Sequence, residues 1–492
     1  MTVGCDTGSM TDDLTFSSVA ELSARIQARE VSPVEVTEAV LARIDRLDPQ
    51  LHAFVAVTRE RALAEARAAE EAIAAGSSRG PLHGVPYAVK DLFDVAGLPT
   101  MAGCRLLVDR VAERDCAPVR RLAAAGMVLV GKTHTVQFAF GGVGINHDTG
   151  TPHNPWHVEP YAPGGSSSGS AVAVAADMVP VALGTDTGGS VRAPAALCGT
   201  AGLKTTVGRV SRAGVFPLSS SLDSVGPLAR TVEDCALLYE ALQGADPDDE
   251  STLLSHDAQV PHDVRTSLSD GVGGLRLAFA ETVFFDGADP EVEAAVRATG
   301  EVFAGLGASV TSMAIPEVDE VMGQGDSERA RSLFIAAEGC AFNRELLTHH
   351  FDELDPVVSQ RLQRGFELSA ADYFDTQRRF AAARTRLQRR FADVDALLVP
   401  TTMIPAHPIA EIDVDGDTYA RFNGQYLRNT AIGNLLGLCA VTTPCGFTRA
   451  GLPIGVMVYA KPFAEETALR VAHAYEQATD WHTRRPPLFS SD

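Results

Sequence analysis

Two short segments carry the residue types of an acyl-transfer site. Pro163-Gly-Gly-Ser-Ser-Ser-Gly-Ser170 and Gly184-Thr-Asp-Thr-Gly-Gly-Ser190 each set serines among glycines. Glycines let successive backbone N–H groups face one concavity, which suits a developing oxyanion. A serine closing such a loop, here Ser190, stands where a nucleophile would be. A flexible Gly/Ser linker is the plainer reading of the first segment. Its short length, and the apolar run that follows it, argue against a linker.

A serine hydroxyl needs a base. No histidine lies in either loop, and the chain has no Ser-x-x-Lys motif. Lysine elsewhere is the remaining option, and Lys90 closes Gly84-Val-Pro-Tyr-Ala-Val-Lys-Asp91, which reads as a turn feeding a short buried strand. Desolvation lowers a lysine by several units from about 10.4, enough to make it a base. An ion pair with Asp91 or Asp94 is the alternative role. Lysine usage adds a hint. Of 41 basic residues only Lys90, Lys132, Lys204 and Lys461 are lysine. Arginine does most surface work but cannot shed its proton, so each remaining lysine is a candidate for a task arginine cannot perform.

The elements that must position these groups are legible in outline. Ser18-x-x-Glu21 and Ser32-Pro-Val-Glu35 are capping boxes that start helices. A further helix fits residues 59–75, another 117–125, and strands fit 127–130 and 179–183 on either side of a helix at 171–176. The acidic stretch 243–274 is the best candidate boundary. A strand at 275–280, amphipathic helices through 326–392, a buried strand at 396–399, apolar segments at 435–443 and 454–459 and a helix at 464–478 follow. Strands alternating with helices predict an α/β class with a largely buried sheet.

Composition narrows the partners. Net charge is −22 over 492 residues, which disfavours phosphate backbones and anionic lipid. No apolar run reaches membrane-spanning length. The polar N-terminus has no signal-peptide pattern, which leads to a cytoplasmic expectation, with residues 1–14 as a loose tail. Eight scattered cysteines lack Cys-x-x-Cys spacing and read as buried small hydrophobes. No zinc spacing occurs, and His349-His350 reads as a helix-end pair.

Taken together, these motifs resemble the amidase signature hydrolases. The resemblance rests on the two Gly/Ser loops, the Gly84–Asp91 motif, Gly199-x-x-Gly-Leu-Lys-x-Thr, Ser221-Leu-Asp-x-x-Gly-Pro, Pro444-Cys-Gly and Gly451-Leu-Pro-Ile-Gly-Val. It covers roughly residues 15–485. It implies one large α/β domain whose mixed central sheet is sandwiched between helical layers. Within it, a signature core of about 80–235 and a substrate-shaping helical region of about 326–392 are expected. It also implies Ser190 as nucleophile, Ser166 as bridging hydroxyl after a cis Gly165–Ser166 bond, and Lys90 as base. The amides of Thr187, Gly188, Gly189 and Ser190 would form the oxyanion hole. Ser167 would help position Lys90, Asp186 and Arg192 would be supports, and Phe140 and Gly141 would flank the substrate. No cofactor or metal is expected.

The expected activity is hydrolysis of a carboxamide or related C–N bond. The expected partner is a small-molecule amide or carbamate, with no nucleic acid and no membrane, and with a homodimer left open. Two rivals remain. One is the amidase subunit of a tRNA-dependent amidotransferase, disfavoured because residues 400–440 lack the acidic glutamine-binding pattern associated with that role. The other is a phosphate-loop protein, because Gly126-Met-Val-Leu-Val-Gly-Lys-Thr133 matches that pattern by letter. Its Met-Val-Leu-Val core favours a strand instead.

Overall fold

The computed structural model describes residues 14–254 and 263–487. Eleven strands form one sheet in the order β1-β3-β2-β4-β6-β5-β10-β11-β9-β7-β8. They are β1 Phe54–Val57, β2 Pro86–Lys90, β3 Val128–Thr133, β4 Val181–Asp186, β5 Ala201–Lys204, β6 Ser224–Ala229, β7 Arg276–Ala280, β8 Ser309–Met313, β9 Ala396–Pro400, β10 Cys439–Phe447 and β11 Pro453–Ala460. The sheet is mixed: β2 runs parallel to β3 and β4, and β7 parallel to β8 and β9, while β4 is antiparallel to β6.

Period-two alternation explains how helices cover both faces. On β4, Val181 and Leu183 join one core cluster and Ala182 the other. On β3, Leu129 faces the first cluster and Val128 and Val130 the second. The first cluster includes Leu22 and Ile26 of the Val19–Gln27 helix and Leu238 of the Val232–Leu242 helix. The second receives Val40 and Ile44 of the Pro33–Leu51 helix and Val172 of the Ser168–Ala175 helix. Both capping boxes close as the sequence predicts, on Ser18 with Glu21 and Ser32 with Glu35.

The expected boundary at 243–274 does not divide the sheet. β5 before it pairs antiparallel with β10 after it, with Val441 opposite Leu203. Acidic loop composition there does not mark a break in the sheet. Residues 1–13 of the expected tail lie outside the described residues, and Leu14 is buried in the first cluster.

This topology fixes where chemistry can occur. Lys90 ends β2 and Asp186 ends β4, and the two strands are parallel neighbours, with Val89 opposite Leu183. Their C-terminal ends therefore emerge together. The crevice outside such ends is where open α/β sheets bind ligands.

Candidate active site

Lys90 Nζ lies 2.7 Å from Ser166 Oγ and 2.8 Å from Thr185 Oγ1. Lys90 and Ser166 are fully buried, and Ser190 is 4% exposed. Burial pushes the Lys90 amine down to about 7, against the upward pull of the Asp223 and Asp186 carboxylates. The ion-pair alternative fails: Asp91 is taken by Lys132 at 2.7 Å and Asp94 by Arg110 at 2.7 Å. Lys132 itself lies on β3, engaged with Asp91, the Pro99 carbonyl and Thr100, so Val128–Thr133 of this segment is a strand and not a phosphate loop.

The two Gly/Ser loops lock against each other. The Ser167 amide donates to the Ser190 carbonyl at 3.2 Å, and the Gly165 amide to the Gly142 carbonyl at 2.8 Å. The Gly165–Ser166 peptide bond is cis. Ser167 does not reach Lys90 as expected. Its hydroxyl donates to the Thr185 carbonyl, and the neighbour that Lys90 meets is the Thr185 hydroxyl.

Behind the 187–190 turn sits a buried ion pair. Asp186 accepts from the Gly189 and Val191 amides and from Arg192 Nε and Nη2. Burial alone would raise the Asp186 carboxyl, but the Arg192 guanidinium holds it well below the usual carboxylate range. The supporting roles expected of Asp186 and Arg192 fit this geometry. One expectation needs correcting: the Gly189 amide is spent on Asp186 at 2.9 Å, so it is not available as an oxyanion donor. Thr187, Gly188 and Ser190 line the cavity in front of the turn. Gly189 is needed for another reason. Its φ is +133°, and a Cβ there would lie 2.0 Å from Thr430 Oγ1.

Three residues not singled out from the sequence hold this turn. Thr185 meets Lys90, Thr430 donates its hydroxyl to the Gly188 carbonyl at 2.8 Å, and Asp223 accepts from Thr187 Oγ1 at 2.5 Å. Asp223 also takes the Leu218 and Ser219 amides, each at 2.9 Å. Asp223 lies within the Ser221-Leu-Asp motif, so its position was visible in the sequence but its role was not.

The cavity in front of Ser190 has a volume of about 630 Å³. Phe140 and Gly141 line it. The Asp326–Phe342 helix supplies Arg331 and Ile335, and the Pro356–Gln363 helix supplies Arg361. The Gly416–Leu435 helix, which sequence reading missed, lays Arg421, Gly424, Leu427, Arg428, Ala431 and Leu435 along the wall. Their helical spacing is the signal that could have revealed it.

A model of the amidase family matches residues 35–469. A glutamyl-tRNA(Gln) amidotransferase subunit from Geobacter metallireducens is 40% identical over 488 residues, covering 95% of this chain and 98% of that protein. Among solved structures, a chain from a vestigial protein complex bearing on the origins of an s-triazine catabolic enzyme gives a TM-score of 0.85. It is 35% identical, covering 94% of this chain and 98% of that one. Peptide amidase from Stenotrophomonas maltophilia gives 0.83 at 30% identity, covering 96% and 98%.

These likenesses overturn the expected partners. A small-molecule substrate, no nucleic acid and at most a homodimer do not fit relatives that are subunits of an enzyme named for glutamyl-tRNA(Gln). The reasoning from net charge failed because −22 is a sum over the whole chain. Such a sum says nothing of one local surface, nor of RNA held by another protein in an assembly. Among the described residues, no helix is long and apolar enough to cross a membrane.

Proposed function

The chain belongs to the amidase family and is an enzyme acting on carbon–nitrogen bonds, and on that footing we propose that it is the amidase subunit of an amidotransferase, releasing ammonia from an amide donor for transfer to glutamyl-tRNA. The observation that carries the chemical part is the 2.7 Å contact between Lys90 Nζ and Ser166 Oγ, sealed from water beside a cavity that exposes Ser190.

Neutral Lys90 draws a proton from Ser166, which draws one from Ser190. Ser190 attacks the amide carbonyl, and the Thr187, Gly188 and Ser190 amides hold the oxyanion. The relay returns a proton to the departing nitrogen, which leaves as ammonia. Water then hydrolyses the acyl-enzyme by the same relay. The role within an amidotransferase is supported by sequence relatives about 40% identical over nearly their full length. A cytoplasmic setting agrees with the seven described cysteines, all free and buried.

A second reading ends with ammonia released to solvent. It is favoured by the likeness to the peptide amidase. One experiment separates the two. The tagged chain is purified from its own cells with whatever proteins accompany it, then supplied with an amide donor and glutamyl-tRNA. The proposal expects a co-purifying protein and amidated tRNA, the amidation being lost with Ser190→Ala. Ammonia release with no amidation by the intact assembly would leave only the second reading.

A further inference from the structure

We propose that Glu338 is a positioning residue for the catalytic turn, holding residues 219–221 so that Asp223 keeps its grip on Thr187. This rests on the amidase reading of Ser190 and Lys90 above and ties a residue of a distant helix to their chemistry.

Residues 218–223 form an irregular arc between two open spaces. Leu218 lines the cavity before Ser190, while Ser220 and Asp223 line a second cavity of about 210 Å³. With space on both sides, packing alone does not fix the arc, and hydrogen bonds must. Its last residue, Asp223, accepts from the Leu218 and Ser219 amides and from the Thr187 hydroxyl. Arg212, on the wall of the second cavity, donates to the Ser220 and Asp223 carbonyls at 2.9 and 3.2 Å. That holds backbone but leaves the serine side chains.

Glu338 of the Asp326–Phe342 helix takes those side chains. One carboxylate oxygen accepts from Ser221 Oγ and from the Tyr373 hydroxyl, each at 2.5 Å. The other accepts from the Ser219 hydroxyl and from the Ser221 amide at 3.2 Å. Glu338 is buried and, among the described residues, makes no ion pair. Other buried carboxylates are matched with cations, as Asp91 is with Lys132 and Asp186 with Arg192. A buried carboxylate is costly unless donors fill its lone pairs, and here four donors do so. The arrangement needs an acceptor-only group, because each hydroxyl has one proton to give. Ser219 gives its hydroxyl proton to Glu338 and its amide proton to Asp223. It thereby joins the two carboxylates.

The consequence for chemistry runs through Asp223. Its hold on Thr187 sets the turn that presents the oxyanion amides. Its charge, with that of Asp186, pulls the Lys90 amine upward against burial. Asp186 is pinned by Arg192. A change in Lys90 on altering Glu338 therefore reports the placing of Asp223. Glu338→Gln keeps the size and shape of the side chain but turns one acceptor into a donor that faces a hydroxyl.

The test labels Ser190 of the full chain with a small sulfonyl fluoride and follows the rate by peptide mass against pH. Wild type is compared with Glu338→Gln, Ser219→Ala, Asp223→Asn and the double variant of Glu338→Gln with Asp223→Asn. Ser219→Ala breaks the same link from its other end and decides the matter if Glu338→Gln fails to fold. In either variant the rate on the alkaline plateau should fall about tenfold, and the acid limb should move to lower pH. Added to Asp223→Asn, Glu338→Gln should cost less than about twofold, because the path it acts through is already cut. An acid limb that stays in place, or the same fold-loss in both backgrounds, overturns the proposal and leaves Glu338 a fixture of helix packing. Absence of label on Ser190 in wild type would bring down the nucleophile assignment, and the proposal with it.

Discussion

Lys90 and Ser166 stand 76 residues apart in sequence and meet at 2.7 Å in a site closed to solvent. The parallel pairing of β2 with β4 brings this about. It sets the end of β2 beside the end of β4 and the loop entering the Ser168–Ala175 helix. The same contact rules out a surface role for Lys90, because both of its hydroxyl neighbours, Ser166 and Thr185, are buried.

Ser166 is placed to pass protons rather than to hold the fold. Ser166→Ala should lower kcat by roughly 10²–10⁴-fold, the scale of a lost proton-transfer partner. Thermal stability should change little, since the loop is also held by the Ser167 and Gly165 amides. A variant with near-normal kcat would mean that Ser190 reaches its base without Ser166.

Asp223 does two things that one substitution can separate. Its carboxylate grips Thr187 and also raises the proton affinity of Lys90. Asp223→Asn should cut kcat by about 10- to 100-fold through the displaced turn. With that carboxylate charge gone, Lys90 deprotonates more readily. The acid limb of kcat/KM should therefore move to lower pH. An acid limb that stays in place while kcat falls would assign Asp223 to the turn alone.

Asp186 and Arg192 should matter for stability. The pair is fully buried at 2.9 Å. Asp186→Asn leaves the guanidinium charge stranded, an expected loss of about 3–5 kcal/mol in urea unfolding. The depressed carboxyl contributes stability above its unfolded value near 3.9 and loses it as pH falls. The variant should therefore show a shallower acid dependence than wild type. A loss below about 1 kcal/mol would contradict the assignment.

Gly189→Ala tests the turn itself. The added methyl would collide with Thr430 Oγ1, at a φ that side chains rarely adopt. Overpacking and strain together should cost about 2–4 kcal/mol and most of the activity. Unchanged melting and turnover would show that the turn relaxes freely.

Much of this site was readable because its glycines and serines cluster in short, spaced motifs. Lysine scarcity was informative too: Lys90, Lys132 and Lys204 are buried, and only Lys461 is exposed. What stayed hidden has physical reasons. β6 contains Gly226 and Pro227, residues that read as turn, yet it pairs along its length with β4. The Gly416–Leu435 helix carries Arg421, Asn423, Gln425 and Arg428 toward an internal cavity, so its polar face does not mark solvent. Side-chain direction separated Ser167 from Thr185 as the neighbour of Lys90, and sequence spacing does not encode that direction.

The most direct test of the neutral-lysine relay is the pH dependence of kcat/KM for wild type beside single-pH rates for Lys90→Arg and Lys90→Ala. The relay needs the neutral amine, and burial has brought Lys90 down to about 7. Wild-type kcat/KM should fall as pH drops through that value, giving a neutral-to-alkaline optimum. Lys90→Arg should be as inactive as Lys90→Ala, by roughly 10²–10⁴-fold, because guanidinium keeps the charge but cannot accept the proton. Substantial activity in Lys90→Arg, with no acid limb near neutrality in wild type, would contradict the relay.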